Sequence, residues 1–209
     1  RSEPPGPVYV CLDAGLQESA LEEEIKIPDV SRFQPSEPPR ASGDNVKEVA
    51  DMLLGASNPV IMIGRSGRSQ EAWDNRIKLA EALGAGVFTN LRNAAVFPSD
   101  HLLHVGRPAG RINDTMRNVV TDSDAILSLN WLDFGGTQRL LTRDGELKGK
   151  IVHCSMEEYV HNGFGGELFE LPMADIKITA DHDAFVIQLL EEIESRGVAS
   201  NWDGKRVGP

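Results

Sequence analysis

No stretch of this sequence approaches the roughly 20 consecutive apolar residues that a membrane-spanning helix needs, so no bilayer-embedded segment is expected. No secretory leader is expected either, because residues 1–7 are polar and Pro-rich with no apolar core. The chain starts on Arg1 rather than Met and reads as a piece of a longer polypeptide. Cysteine is scarce. Cys11 and Cys154 are the two present, and both sit in apolar runs, so buried free thiols in a reducing, cytoplasmic setting are expected. Basic charge is in deficit: 21 Lys and Arg against 32 Asp and Glu give a formal net charge of −11. That argues against a broad basic face for nucleic acid.

Motifs of strong chemistry are lacking as well. There is no G-x-G-x-x-G, no Gly-Lys-Ser/Thr phosphate loop and no G-x-S-x-G elbow. His101 and His104, and His153 with Cys154 and His161, match no zinc spacing, so no metal site is expected.

What is there suits a globular domain. Hydrophobic residues make up 40% and charged residues 25% of 209, enough for one sizeable core with some extra chain. Val8 to Leu12 reads as a strand belonging to a neighbouring unit, within a first segment 1–26. Residues 27–41 carry Pro28, Pro35, Pro38 and Pro39, a composition that suits an extended linker. The main domain is expected over residues 42–197, with 198–209 as a polar tail.

Within that domain helix and strand signals alternate. Asn45 and Glu48 have capping-box spacing ahead of Val46, Val49, Ala50 and Leu53. Val60-Ile61-Met62-Ile63 is a continuous apolar strand, as expected when both sheet faces are covered. Trp73, Ile77, Ala80 and Leu83 mark a helix stopped by Gly84. Further strands lie at Gly86, Ala125, Ile151 and Asp175, and Asp181 caps a last helix ended by Gly197. The pattern predicts an α/β fold: a Rossmann-like parallel sheet of about six strands with helices on both faces, of the kind that holds NAD or FAD.

In such sheets ligands collect outside the strand carboxyl ends. The first of these ends is Gly64-Arg65-Ser66-Gly67-Arg68-Ser69, where two glycines permit a sharp turn and the next helix aims amides outward. Arg65 and Arg68 are suited to phosphate. Thr89 with Asn90, and Asn130 with Trp131, occupy two further ends. Gly64, Arg65, Ser66, Gly67, Arg68, Thr89, Asn90 and Asn130 are therefore the candidate nucleotide contacts. Two other readings stay open. The loop is equally a plain strand-to-helix turn, and Trp131 and Phe134 equally suit a domain interface.

The order of motifs resembles the central region of thiamine-diphosphate enzymes such as acetolactate synthase and benzoylformate decarboxylase. The resemblance runs through Gly6-Pro7-Val8, the Pro-rich linker and Asn58-Pro59-Val60-Ile61. It continues through Leu83-Gly84-Ala85, Thr89, Phe97-Pro98, His101, His104 and Gly106. It ends with Asp122 to Leu129, Ala174-Asp175-Ile176 and Ala180-Asp181.

This resemblance implies a largely structural central domain of a decarboxylase, lyase or synthase acting on 2-oxo acids, whose chemistry uses a thiazolium ylid as electron sink. It implies pyrimidine- and diphosphate-binding domains in the same parent chain, holding thiamine diphosphate and magnesium, and a homo-oligomeric parent. The family's Gly-Asp-Gly is absent from the sequence, and its activating glutamate falls before Arg1, so no catalytic residue carries over. Some members hold FAD or ADP in this domain. The family's usual Asp-x-Asp-Pro is replaced by His153-Cys154-Ser155-Met156, which argues against a nucleotide. The rival readings are a separate module for ADP, FAD or CoA, and a sirtuin-type deacetylase, against which two cysteines speak.

Overall fold

The computed structural model describes residues 8–21, 23–105, 112–142, 147–157 and 170–205. The chain divides into two compact units, residues 1–38 and 39–209.

In the first unit, Asp13 caps a five-residue helix, α1 (Ala14–Glu18), and Asp29 caps a 3-10 turn, Val30–Phe33. The strand expected at Val8 does not form. Val8 is 84% and Tyr9 90% exposed, with no partner ladder among the described residues. An isolated strand has no neighbour to take its backbone hydrogen bonds, so an apolar run alone cannot make one. Cys11, expected to be buried, is exposed for the same reason, whereas Cys154 is buried.

In the second unit, α2 spans Gly43–Leu54. Its cap is Ser42, whose hydroxyl accepts from Asn45 N–H, so the expected capping by Asn45 is displaced by one turn. Then follow β1 (Pro59–Ile63), α3 (Gln70–Leu83), β2 (Gly86–Thr89), α4 (Asp114–Asp122), β3 (Ala125–Leu129), α5 (Phe134–Leu141), β4 (Lys150–Cys154), β5 (Ile176–Ile178) and α6 (His182–Ser195). The five strands form one parallel sheet in the order β2-β1-β3-β4-β5. Among the described residues five strands stand where about six were expected. One extra rung lies at the outer edge, where Val87 N–H donates to Leu103 O and Val105 N–H to Val87 O.

Alternation along the strands sorts the core into two layers. Ile61, Ile63, Leu127, Leu129, Val152 and Cys154 face a cluster that includes Val49 and Leu53 of α2, Leu83 of α3 and Phe185 and Leu189 of α6. Met62, Phe88 and Ile126 face the other cluster, with Met116 and Val120 of α4 and Phe134 and Leu141 of α5.

Helix α3 ends on Gly84, whose φ of 63° closes the helix in the left-handed conformation, as expected of a C-terminal glycine. Its buried stripe is Arg76, Leu79, Ala80 and Leu83; Trp73 and Ile77 lie at the stripe's margin, half-buried. Asn201 N–H donates to Ala82 O, and Trp202 packs against the core and against the His101 ring at 5.3 Å. At the start of the unit, Asp181 N–H donates to Pro39 O while Ala41 exchanges two bonds with Gln188.

Candidate functional site

The sheet order places β1 between β2 and β3, so the chain winds one way from β1 to β2 and the other way to β3. The crevice between the carboxyl ends of β1 and β3 is the switch point where doubly wound sheets receive ligands. Loop 64–69 follows β1, and Asn130, Trp131 and Asp133 follow β3.

These two loops are joined directly. Gly64 N–H donates to Leu129 O at 2.8 Å, Arg65 N–H to Asn130 O at 3.1 Å, and Asn130 Nδ2 to Arg65 O at 3.0 Å. Asn130 takes a positive φ of 48° to turn its carbonyl to this contact. Its Oδ1 accepts from Ser155 Oγ at 3.0 Å, bringing in the end of β4. Trp131 is 6% exposed and donates its indole N–H to Thr137 Oγ1; together with the buried Phe134 it belongs to the core. The domain-interface reading of these two aromatics therefore loses its motive.

Most of the remaining candidates also have partners within the domain, while Arg65 Nε is buried with none. Arg65 Nη2 donates to Glu157 Oε2 at 2.5 Å, and Ser66 Oγ donates to Gly64 O at 3.3 Å. Gly67 N–H donates to Asp183 Oδ2 at 2.6 Å. Ser69 caps α3 by accepting from Ala72 N–H. Arg68 is exposed and borders a shallow depression of about 170 Å³ with Trp73 and Ala95. At the end of β2, Thr89 Oγ1 pairs with His104 Nε2 at 2.9 Å, and Asn90 Oδ1 accepts from Arg92 N–H. Gly64, Arg65 and Asn130 thus come together, while the Thr89 hydroxyl and the Asn90 carbonyl turn to partners of their own.

Sequence reasoning missed the centre of this region, Arg76. Its side chain is fully buried and serves three acceptors: Asp183 Oδ1 at 2.5 Å, Gly67 O at 3.0 Å and Val96 O at 2.9 Å. A signal was present, because Arg76, Leu79, Ala80 and Leu83 follow the i, i+3, i+4, i+7 spacing of a buried face. Asp183 was overshadowed by Asp181, which does cap α6 by accepting from Ala184 N–H. His182, the first residue of α6, is 4% exposed, and its Nε2 has no hydrogen-bond partner. Burial holds this imidazole below the usual histidine range, against the pull of Asp183 and Asp181.

Among the described residues, no group of three or more His, Cys, Asp or Glu converges as a metal site. His153 pairs through Nδ1 with Ser128 Oγ at 2.9 Å and stacks on Phe134 at 5.1 Å. Cys154 points to the other sheet face and donates to Ala180 O. Burial, then Asp181 and Asp183, pushes its thiol far above the ordinary range, leaving it inert. His161 lies outside the described residues.

Burial, with a smaller contribution from Lys177, lowers the His153 pKa to about 4 from the usual 6.5. Above pH 6.5 both folded and unfolded chains keep it neutral. Below that, the unfolded chain takes up a proton that the folded chain refuses. Stability is therefore lost from pH 6.5 downward and the loss is complete near pH 4, at about 3 kcal/mol from this one group. Urea unfolding between pH 7 and 4.5 should show a shallower decline in His153→Asn than in the unaltered chain. Equal slopes would contradict the assignment. His182 adds to the slope with the same sign in both proteins.

Fold and crevice together define a doubly wound α/β domain in which the loops after β1 and β3 bond to each other. Residues 46–162 match the family described as thiamine pyrophosphate enzyme, central domain, and the chain belongs to that family. It is 26% identical over 172 residues to acetolactate synthase from Mycobacterium avium, covering 82% of this chain and 26% of that protein. It is 27% identical over 180 residues to a probable acetolactate synthase large subunit from Methanocaldococcus jannaschii, covering 85% and 29%. The structure is similar to benzoylformate decarboxylase from Polynucleobacter necessarius, with a TM-score of 0.55 at 19% identity, covering 89% of this chain and 33% of that one. The chain thus spans about a quarter to a third of the length of these relatives.

Proposed function

We propose that this domain serves a larger thiamine-diphosphate enzyme acting on 2-oxo acids, as a scaffold that positions the domains carrying the chemistry. The observation that carries this reading is the family match over residues 46–162, laid on a sheet where the Gly64 and Gly67 amides and the Asn130 side chain donate within the domain. The residues present do not fit the cofactor. The described part offers no metal-ligand cluster, and the sequence has no Gly-Asp-Gly. Thiamine diphosphate and magnesium are accordingly assigned to pyrimidine- and diphosphate-binding domains of the parent, a cytoplasmic homo-oligomer in this reading. The exposure of Val8, Tyr9, Val10 and Leu12 supports a neighbour for the first unit, since adjacent large apolar side chains at 62–90% exposure are costly without one.

The rival reading seats ADP, FAD or CoA at Gly64, Arg65, Ser66, Gly67, Arg68, Thr89, Asn90 and Asn130. It needs donors that are already engaged at the Gly64 and Gly67 amides and the Asn130 side chain.

Calorimetric titration of the chain with thiamine diphosphate and magnesium is expected to show no saturable heat. The coding sequence downstream is expected to carry Gly-Asp-Gly followed by an asparagine. Micromolar, magnesium-dependent binding to this chain would overturn the scaffold reading.

A further inference from the structure

A carboxylate of the chain itself stands where a doubly wound sheet receives an anion. Loop 64–69 leads into the 14-residue helix α3, the arrangement in which backbone amides and helix dipole attract negative charge. The Gly67 N–H that a bound anion would take donates instead to Asp183 Oδ2 at 2.6 Å. The second oxygen, Oδ1, accepts from Arg76 Nη1 at 2.5 Å, and the Arg76 side chain is wholly buried while that of Asp183 is 17% exposed. His182 Nε2, buried and without a hydrogen-bond partner, lies 3.6 Å from Asp183 Oδ2. One amide, one guanidinium and one unsatisfied imidazole nitrogen therefore surround a single carboxylate.

We propose that loop 64–69 is an anion site with a built-in ligand: Asp183 fills it, ties α6 to α3, and shuts the switch-point crevice to nucleotide phosphate. Of the two arginines in the loop itself, Arg65 pairs with Glu157 and Arg68 is exposed. The class of ligand the site takes is a small planar carboxylate. Two acceptor oxygens reach two donors on different elements, a bidentate match that a guanidinium favours. The inference rests on this pairing, so its failure would leave the scaffold reading standing.

Chemical rescue tests it. Asp183→Ala removes the carboxylate group and keeps the methyl carbon, so formate replaces the missing atoms. In the purified Asp183→Ala chain, formate is expected to raise Tm by about 4 °C over matched sodium chloride once the site is saturated. The unaltered chain, whose site is full, is expected to show no formate-specific shift. The double variant Arg76→Met/Asp183→Ala, which lacks the cation, is also expected to show none. If Asp183→Ala fails to fold in chloride, refolding yield is read in both salts, and recovery in formate alone supports the proposal. No rescue by either measure overturns it. So does calorimetry showing ADP binding to the unaltered chain at micromolar concentration.

Discussion

Replacing Gly64 by alanine will cost this domain about 4 kcal/mol or more, a large share of the roughly 5–15 kcal/mol that holds a typical domain folded. A Cβ at Gly64 would lie 1.9 Å from Asn130 O, 2.4 Å from Asn130 C and 2.5 Å from Trp131 Cα. All three are backbone atoms, so no side chain can rotate away, and the ends of β1 and β3 must move apart. That movement sacrifices the bonds from Gly64 N–H to Leu129 O, Arg65 N–H to Asn130 O and Asn130 Nδ2 to Arg65 O. Each buried bond contributes about 1 kcal/mol, and forced overpacking adds about 1–3 kcal/mol. The requirement is for close approach, not for a left-handed backbone, because Gly64 is not among the residues with positive φ. Gly43→Ala is the control: at the first turn of α2 its Cβ would meet nothing within 4 Å, and it is expected to match or exceed the stability of the unaltered chain. Urea midpoints measure both. A Gly64→Ala midpoint equal to that of Gly43→Ala would show that the two strand ends separate without penalty.

The close approach at Gly64 also marks the limit of what the sequence could reveal. The continuous apolar run at Val60 announced a strand buried on both faces, Ala125 and Ile151 announced two further strands, and all three are central in the sheet. Gly84 and Asp181 declared a helix end and a helix start through local backbone chemistry, and both act as read. Local signals fail where the deciding partner is distant. Val8 looks like a strand, but no ladder receives it among the described residues. The glycines of loop 64–69 look like a cradle for a ligand, but Asp183 lies 116 residues beyond Gly67 and reaches it only through the packing of α6 on α3. Asn130 was placed correctly at a strand end. Its job of tying that end to Arg65 and Ser155 depends on register, which periodicity does not encode. The resemblance to thiamine-diphosphate enzymes was legible because it lies in motif order along the chain, independent of any one contact.

Arg76→Met is expected to destabilise the domain by about 3–5 kcal/mol, the penalty for removing one partner of a buried ion pair. Three acceptors lose the Arg76 donor at once: the Asp183 carboxylate (which keeps the Gly67 N–H), Gly67 O and Val96 O. These belong to α6, to loop 64–69 and to the segment after β2, so one side chain fastens three parts of the unit to α3. Methionine fills much of the volume and supplies no donor, which separates the polar contribution from a cavity. Arg76→Lys keeps the charge but has a single ammonium in place of the planar fork, and it cannot meet three acceptors lying in different directions. Its midpoint should fall between those of Arg76→Met and the unaltered chain. Arg76→Met/Asp183→Ala removes both charges. It should be less destabilised than the sum of the single variants, because neither is left unpaired. Urea unfolding of the four proteins closes the cycle. An Arg76→Met variant within about 1 kcal/mol of the unaltered chain, the range of an exposed pair, would show that solvent reaches the guanidinium. The fully buried setting of Arg76 argues for the larger loss. A loss of that size makes Arg76, together with the carboxylate it holds, the fastening on which the closed crevice depends.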